Sequence, residues 1–246
     1  MERTFVNKEL IKKRFRRKLK LYNSNAGIQK QMAEKLLMFL PEKRYSSILE
    51  IGCGTGLLTE ELNRKFGLSV YKALDIVEEC EGYIKKINPQ IDFIASDAEE
   101  YIENCREKYD LIISNASLQW IENLPEFVKK LAKRLNPDGI LLFSTFGKEN
   151  FREIYNVYGT TLKYYSQSEL KSELSEFDTE IEEEIRIMAF KTPKDVLKHI
   201  QNTGVNALSS PVWTKKDLSD FENMYNSFCA NRPTLTYNPM YVMVKI

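Results

Sequence analysis

The chain of 246 residues has few of the side chains that build metal sites and hydrolytic triads. It contains one histidine, His199, and four cysteines whose spacing matches no metal-binding pattern. A single histidine excludes histidine-rich zinc sites, and a Ser-His-Asp triad could use only this residue. His199 lies in a helical, amphipathic stretch, where a lone histidine is more often structural or exposed than catalytic. We therefore expect no metal site and no histidine as general base.

Long apolar segments and an excess of either charge are also missing. No apolar run approaches the roughly 20 residues that a membrane-spanning helix needs. The N-terminus is charged and lacks the apolar centre of a signal peptide. Lys and Arg together number 36 against 35 for Asp and Glu, which gives a net charge of +1. We expect a cytoplasmic monomer with reduced cysteines, and neither a membrane nor a nucleic acid as partner.

Three glycines at alternate positions form the most informative segment. Residues 48–56 read Ile-Leu-Glu-Ile-Gly-Cys-Gly-Thr-Gly. Glycine allows the turn after a strand to tighten and lets the backbone approach a ligand without an intervening Cβ. A dinucleotide-binding fingerprint would need its third glycine where Leu57 stands, and the Gly-Lys-Ser/Thr of a phosphate-binding P-loop is absent. The segment instead resembles the cofactor loop of class I S-adenosylmethionine (SAM) methyltransferases.

Strand-like and helix-like segments alternate along the chain, a pattern that predicts a parallel sheet covered on both faces. The predicted strands are 46–51, 69–75, 91–95, 109–114, 140–146, a segment near 180–190 and an edge strand over 235–246. The predicted helices are 57–66, 78–87, 124–135, 168–174, 194–202 and 215–229. The expected fold class is α/β, a Rossmann-like class I methyltransferase fold with a mostly parallel seven-stranded sheet.

One structural domain can contain all of these elements. Within it we expect an N-terminal helical cap over residues 1–40 and a SAM-binding core over 41–146. Residues 147–246 hold the remaining strands and two helical insertions, one after the fifth strand (147–165) and one before the last strand (193–232). Because lids at strand ends give such sites their specificity, we expect these insertions to close over the site.

Polar residues follow the predicted strands, where parallel sheets bind their ligands. Asp75 ends the second strand and can accept hydrogen bonds from two ribose hydroxyls, although aspartate is also a common helix N-cap. Asp97 and Ala98 follow the third strand, where a carboxylate can accept from the adenine amine beside a small residue. Ser-Asp is also ordinary turn chemistry. Asn115 follows the fourth strand and would lie beside the methionine part of the cofactor.

The segment after the fourth strand also carries information about the methyl acceptor. Gln119 and Trp120 could face the reacting end, and Trp120 could equally be a core aromatic. The segment reads Asn-Ala-Ser-Leu-Gln-Trp, without the Asn-Pro-Pro-Tyr that often positions a poorly nucleophilic nitrogen. A carboxylate acceptor needs no base because it is ionised near neutral pH, and its methylation requires mainly in-line positioning and exclusion of water. The sequence is compatible with carboxyl O-methylation.

A basic, amphipathic helix is predicted near the N-terminus. Ile11, Phe15 and Leu19 recur every four residues and give it one apolar face. Its basic residues form either a solvated face or the outer face of a cap that meets an acidic partner. The residues that would dock this partner are Lys13, Arg16, Arg17 and Lys20. Tyr22 and Gln29 follow at the entrance to the next amphipathic stretch.

Over nearly its whole length the chain resembles the malonyl-acyl-carrier-protein O-methyltransferases of biotin synthesis. The resemblance rests on Arg14-Phe15 with Tyr22, on Gln-Lys-Gln-Met-Ala at 29–33, and on segments 50–56, 114–120, 143–147 and 203–208. The glycine loop is shared by all class I methyltransferases, and Asn-Ala-Ser-Leu-Gln-Trp also occurs in trans-aconitate methyltransferases. The blocks at 29–33 and 203–208 are the more specific pair.

The resemblance implies SAM-dependent methylation of the free carboxylate of a malonyl thioester on acyl carrier protein, with S-adenosylhomocysteine as the second product. The methyl ester would prime synthesis of pimeloyl, the biotin precursor. Tyr22 and Trp120 would line the acceptor pocket, and the basic face would dock the acidic carrier. The residues expected to bind the cofactor are Arg14, Phe15, Gln29, Glu50, Gly52, Gly54, Gly56, Asp75, Ile76, Asp97, Ala98, Asn115 and Gln119.

Three alternatives stay open. One is a methyltransferase for a small carboxylic acid of the trans-aconitate type. A second is a nucleic-acid methyltransferase that uses the basic arm, and the near-neutral charge and the lack of Asn-Pro-Pro-Tyr argue against it. A third is a SAM-binding partner subunit without catalysis, against which the complete set of cofactor motifs argues.

Overall fold

The computed structural model describes residues 7–66, 70–159, 161–203 and 214–246. The helices in these ranges are α1 (Lys8–Asn25), α2 (Gly27–Met38), α3 (Leu57–Phe66), α4 (Glu81–Ile87), α5 (Ala98–Asn104), α6 (Leu124–Ala132), α7 (Arg152–Tyr158), α8 (Gln167–Glu173), α9 (Pro193–Asn202) and α10 (Lys215–Phe228). The strands are β1 (Ser47–Ile51), β2 (Val70–Asp75), β3 (Asp92–Ala95), β4 (Tyr109–Ser114), β5 (Leu135–Phe146), β6 (Asp178–Glu183), β7 (Arg186–Ala189), β8 (Thr234–Tyr237) and β9 (Pro239–Lys245). No helix in the described part of the chain is long and apolar enough to span a membrane.

Seven strands form one sheet in the order β3-β2-β1-β4-β5-β9-β6. Strands β1 to β5 run parallel, whereas β9 is antiparallel to both of its neighbours. The order reverses between β1 and β4, and doubly wound α/β proteins bind ligands in the crevice at such a point. The predicted Rossmann-like, mostly parallel seven-stranded sheet is confirmed.

Side chains of the central strands alternate between two cores, one on each face of the sheet. In β4, Leu111 and Ile113 pack into the first core and Ile112 into the second. Neighbouring residues of β5, Leu142 and Leu141, divide in the same way. The first core includes buried residues of α2, α3, α9 and α10, and the second those of α5, α6 and α8. Because both faces are covered, apolar residues follow one another along these strands instead of alternating with polar ones.

The last strand is not at an edge of the sheet, which corrects the prediction for 235–246. The segment forms β8 and β9, and β9 has hydrogen-bonded neighbours on both sides, β5 and β6. The two strands are separated at Asn238, whose backbone N–H donates to Asn150 Oδ1 and whose amide donates to the Glu184 carbonyl. Alternation of apolar and polar residues along a strand does not indicate how many neighbouring strands it pairs with, because pairing involves distant parts of the chain.

The predicted strand near 180–190 is two strands in different sheets. β6 forms the sheet edge beside β9, whereas β7 pairs with β8 in a separate two-stranded sheet. The exposed acidic side chains of β6 suit an edge, since charge discourages pairing with another chain. The helix predicted over 124–135 also ends early, at Ala132, because β5 already begins at Leu135 and pairs there with Tyr109.

Replacing Val242 by threonine tests the internal position of β9. Val242 is 0% exposed, whereas Val70, in β2, is 65% exposed. The substitution keeps the side-chain shape but places a hydroxyl in the core, so Val242→Thr should lower the free energy of unfolding by about 1–3 kcal/mol. The control Val70→Thr should change it by less than about 0.5 kcal/mol. Urea titration measures both values, and equal values would contradict the internal position.

Candidate functional site

A cleft of about 810 Å³, its open mouth included, lies beyond the carboxyl ends of β1, β2 and β4. It occupies the point where the strand order reverses. We call it the main cleft. Most of the predicted site residues lie on its wall. They are Phe15, Tyr22, Gln29, Glu50, Gly52, Gly54, Asp75, Ile76, Asn115, Gln119 and Trp120.

A second cavity of about 540 Å³ shares Gly52, Asp75 and Trp120 with the main cleft. Asp97 and Ala98 lie on its wall, so the structure places them apart from the residues of the main cleft but beside Asp75. The two cavities together form one elongated site along the ends of β1, β2, β3 and β4.

Two predicted cofactor residues, Arg14 and Gly56, lie on neither wall. Gly56 has φ +87°, and a Cβ there would lie 2.3 Å from Ile87 Cδ1. Glycine at this position therefore allows the loop to pack against α4. Arg14 is on the flank of α1, where burial lowers its pKa.

Two glycines of the loop after β1 are required because side chains of other segments lie close to their backbone. A Cβ on Gly52, at φ +70°, would lie 2.1 Å from Ser117 Oγ. A Cβ on Gly54, at φ +54°, would lie 3.3 Å from Phe15 Cζ. L-residues with side chains rarely adopt such positive φ angles. The loop can thus lie between the segment after β4 on one side and helix α1 on the other.

Asp75 holds the glycine loop in place. Its Oδ2 accepts from the backbone N–H of Gly54 at 2.8 Å, and its Oδ1 accepts from Val77 N–H at 2.8 Å. Burial raises the pKa of the carboxyl, while these hydrogen bonds lower it. Asp75 lines both cavities, so its carboxyl borders the space that a ligand's hydroxyls would occupy. The predicted ribose contact is compatible with this geometry.

Asp97 has two roles inside the molecule. Its Oδ1 accepts from the backbone N–H groups of Glu99 and Glu100, which makes it the N-cap of α5. Its Oδ2 lies 2.7 Å from Lys8 Nζ, at the start of α1. The structure therefore assigns Asp97 the capping chemistry that aspartate favours, together with an ion pair that attaches α1 to the sheet.

Glu50 is a buried carboxyl on the wall of the main cleft. Its Oε2 accepts hydrogen bonds from the hydroxyls of Thr59, at 2.7 Å, and Tyr71. Burial is the largest influence and raises the pKa of Glu50 to about 7, while the two hydroxyls lower it and the charge of Asp75 raises it. The side chain is thus anchored against α3 and β2 through one of its oxygens.

Asn115 links three elements rather than presenting a free amide to the cleft. Its Nδ2 donates to the Gln29 carbonyl of α2 at 2.9 Å, and its Oδ1 accepts from Ser144 Oγ at 2.7 Å. Ser144 Oγ in turn accepts from Ala116 N–H at 2.9 Å. Ser144 was not among the predicted site residues, and the available signal was a serine next to the apolar run Ile-Leu-Leu-Phe at 140–143.

Helix α1 covers the main cleft with its inner face. Ile11, Phe15 and Tyr22 line the cleft, and the rings of Phe15 and Tyr22 pack edge to face with centroids 5.0 Å apart. Burial, and then the charge of Asp75, raise the pKa of the Tyr22 phenol. Arg16, one of the predicted docking residues, forms an ion pair with Glu79, in the turn after β2. This contact attaches the cap to the sheet.

Thr203, at the end of α9, belongs to the wall of the main cleft, whereas His199 in α9 does not. Thr203 lines the main cleft, and its hydroxyl donates to backbone carbonyls of α9. The rest of the specific block, residues 204–208, lies outside the described residues. His199 Nε2 and Tyr237 Oη are hydrogen-bonded at 2.8 Å, and burial lowers the pKa of the imidazole. His199 lies on neither cavity wall, consistent with a structural role.

Metal chemistry receives no support from the described part of the chain. No group of three or more His, Cys, Asp or Glu side chains there is arranged to hold a metal ion. The polar side chains on the wall of the main cleft are amides, hydroxyls and the carboxyls of Glu50 and Asp75, which suit an organic ligand with hydrogen-bonding groups.

Comparison with known proteins identifies the family. A family model described as a methyltransferase domain matches residues 24–184. A malonyl-[acyl-carrier protein] O-methyltransferase of Chlorobium luteolum is 36% identical over 254 residues, covering 98% of this chain and 96% of the relative. One of Calditerrivibrio nitroreducens is 35% identical over 247 residues, covering 95% of each chain. The chain belongs to the malonyl-[acyl-carrier protein] O-methyltransferase family.

Solved structures agree with the fold of this methyltransferase. A Bacillus halodurans protein described as a methyltransferase has a TM-score of 0.62 at 14% identity, covering 87% of this chain and 97% of the other. An N-methyltransferase of Bradyrhizobium japonicum in complex with S-adenosylhomocysteine has a TM-score of 0.50 at 16% identity, covering 87% and 85%. The predicted SAM dependence is confirmed by the family, and the protein is an O-methyltransferase.

The site fits SAM, an adenosine joined through a sulfonium to methionine. Asp75 lines both cavities, and its carboxyl is of the type that can accept hydrogen bonds from ribose hydroxyls. The side-chain oxygens of Gln29 and Gln119, in the main cleft, are buried and have no hydrogen-bond partner among the described residues. A ligand with N–H or O–H donors would satisfy them. The assignment of single residues to parts of the cofactor stays a prediction.

A valine at position 54 tests the close approach at the glycine loop. The branched side chain would meet Phe15 and enter the cleft at a φ of +54°, so Gly54→Val should abolish binding of S-adenosylhomocysteine. A Cβ on Gly82, in α4, would meet no surrounding atom within 4 Å, so Gly82→Val should bind normally. Calorimetry measures affinity and circular dichroism checks folding. Normal binding by a folded Gly54→Val variant would remove the loop from the site.

Proposed function

We propose that this enzyme methylates the free carboxylate of a malonyl group carried as a thioester by acyl carrier protein. The support is the identity with curated malonyl-[acyl-carrier protein] O-methyltransferases, which extends over almost the whole of this chain and of those relatives. In this proposal the methyl ester primes pimeloyl synthesis for biotin. Methylation removes the charge of the malonyl carboxylate, which lets the acyl chain enter an apolar channel during its elongation. We also propose that the enzyme acts as a monomer in the cytoplasm.

The chemistry requires positioning more than proton transfer. SAM supplies an electrophilic methyl group on a positively charged sulfur. A malonyl carboxylate is ionised near neutral pH, so no residue has to remove a proton from it. His199, hydrogen-bonded to Tyr237, lies on neither cavity wall and has no step to perform. The enzyme's task is to align the two groups and to exclude water.

Tyr22 and Trp120 are the proposed acceptor-side residues. Because its pKa is raised, the phenol of Tyr22 keeps its proton at neutral pH and can donate to the malonyl carboxylate. Trp120 lies on the walls of both cavities, where its ring can exclude water and face the positive sulfur in a cation–π contact. Both residues border the space between the glycine loop and helix α1.

We propose that residues 1–40 act as a cap with two functional faces. The inner face of α1 lines the main cleft, and its outer face carries Lys13, Arg17 and Lys20, which are exposed. These three have no ion pair to another described residue, in contrast to Arg16 with Glu79. An acidic carrier docked on this outer face would lie directly above the site, as the transfer of a tethered group requires.

A substrate panel with labelled SAM tests the reaction. Malonyl-carrier should be methylated, whereas acetyl-carrier, which lacks the free carboxylate, should not react. Malonyl-coenzyme A should react with a higher KM, since it lacks the carrier surface. Trans-aconitate and transfer RNA represent the two other catalytic functions. Label transferred to either of them but not to malonyl-carrier would refute the proposal. The label on malonyl-carrier should be released by mild base, as expected of a methyl ester.

Charge reversal on the outer face of α1 tests carrier docking. The variant Arg17→Glu/Lys20→Glu should raise the KM for malonyl-carrier about tenfold at low salt, because favourable steering becomes repulsion. Its affinity for S-adenosylhomocysteine should stay unchanged, and added salt should reduce the difference from wild type. Lys171→Glu, on the exposed side of α8, is the matched control and should behave as wild type. Equal KM values in all three proteins would place docking elsewhere.

A further inference from the structure

Two glutamines on the wall of the main cleft have buried side-chain oxygens without a partner. Gln29 is 3% and Gln119 8% exposed, and neither Oε1 accepts a hydrogen bond from a described residue. Buried polar atoms in proteins are nearly always hydrogen-bonded, and an unsatisfied one is costly unless a ligand supplies the donor. Both residues lie on the wall of the main cleft and not on that of the second cavity.

The orientation of the Gln119 amide is determined by its surroundings. Its Nε2 donates to the Ala116 carbonyl at 2.7 Å. Rotating the amide by half a turn would place an oxygen against that carbonyl oxygen, so the nitrogen must stay where it is. The end of Gln119 without a partner is therefore an acceptor. The Gln29 amide has no comparable anchor among the described residues.

Ala116 supplies this anchor from an unfavourable backbone conformation. Its φ is +48°, a left-handed value that residues with a Cβ adopt only when their surroundings impose it. Ser144, fully buried in β5, holds Ala116 in this conformation. Its Oγ accepts a hydrogen bond from Ala116 N–H and donates one to Asn115 Oδ1. Asn115 then donates to the Gln29 carbonyl. One hydroxyl thus holds the segment that orients Gln119.

The charged side chains on the wall of the main cleft are carboxyls, those of Glu50 and Asp75. No lysine or arginine is among the described residues on that wall. A carboxylate ligand is acceptor-only and would be repelled here, whereas an ammonium group brings three donors and a positive charge. The amino-acid part of SAM and of S-adenosylhomocysteine carries such a group. The acceptor carboxylate would then belong on the side of Tyr22.

We infer that Gln119 Oε1 accepts a hydrogen bond from the ammonium group of the cofactor, and that Ser144 is a positioning residue that orients it through Ala116. The inference rests on the cofactor of the proposed function and not on the identity of the methyl acceptor. In this inference the contacts of Ser144 with Asn115 and Ala116 contribute to cofactor binding as well as to folding.

Calorimetry with two ligands separates this role from general damage to the site. S-Adenosylhomocysteine carries the ammonium group, and 5′-methylthioadenosine has the same nucleoside and a thioether but no amino-acid part. Gln119→Met should weaken binding of the first by about tenfold to a hundredfold, the usual loss for a hydrogen bond to a charged group. Binding of the second should change by less than about twofold.

Two further variants complete the test. Ser144→Ala should weaken S-adenosylhomocysteine by several-fold and leave 5′-methylthioadenosine unaffected, since the segment loses its anchor but Gln119 is retained. Gln167→Met is the matched control, because Gln167 Nε2 donates to the Ile181 carbonyl at 2.8 Å and lies on neither cavity wall. It should bind both ligands as wild type does.

A third ligand keeps the inference testable even if a variant fails to fold. The desamino analogue of S-adenosylhomocysteine should bind wild type at least tenfold more weakly than the parent and should bind Gln119→Met no more weakly than wild type. Equal losses of both original ligands in Gln119→Met, or full affinity of wild type for the desamino analogue, would overturn the inference. No methyl acceptor is present, so these results are independent of the substrate panel.

Discussion

The hydrogen bonds that Asp75 accepts from Gly54 and Val77 are the contacts on which the rest of the site depends. A buried carboxylate is costly unless donors surround it, and here two backbone N–H groups supply them. Because Gly54 belongs to the loop after β1 and Val77 to the turn after β2, one side chain fixes the ends of two neighbouring strands. The loop can then keep its positive φ angles, and the main cleft and the second cavity meet beside it.

Helix α1 closes this site through contacts that are individually weak. The ion pairs of Lys8 with Asp97 and of Arg16 with Glu79 involve partly exposed side chains, and such pairs contribute at most about 1 kcal/mol each. Burial of Ile11 and Leu19 adds an apolar contact. Both ion pairs end on acidic residues just beyond β2 and β3, so the cap is attached where the adenosine part of the cofactor is expected.

The polarity of the main cleft suits transfer of a methyl group to an anion. Its described wall combines acceptor groups near Glu50 and Gln119 with the phenol donor of Tyr22 on the cap. A positively charged cofactor and a negatively charged acceptor bound there would carry opposite charges, and both products would be less charged at the reacting atoms. A site that excludes water strengthens the attraction between such groups before the transfer. No proton has to move, which agrees with a cleft whose described wall lacks a histidine.

Local sequence signals determined the fold class, the glycine loop and the strand-end carboxylates, because spacing, periodicity and turn chemistry act over a few residues. Confirmed predictions include the helix 57–66, the strand 109–114 and the basic helix with Ile11 and Leu19 on its buried face. Tertiary structure alone decided what depends on distant partners. The internal place of β9 follows from its pairing with β5 and β6. The ion pair of Arg16 with Glu79 likewise joins two distant segments. Ser144 meets Asn115 across 29 positions of the chain. Such contacts form only when the folded chain brings distant segments together, and no local pattern encodes them.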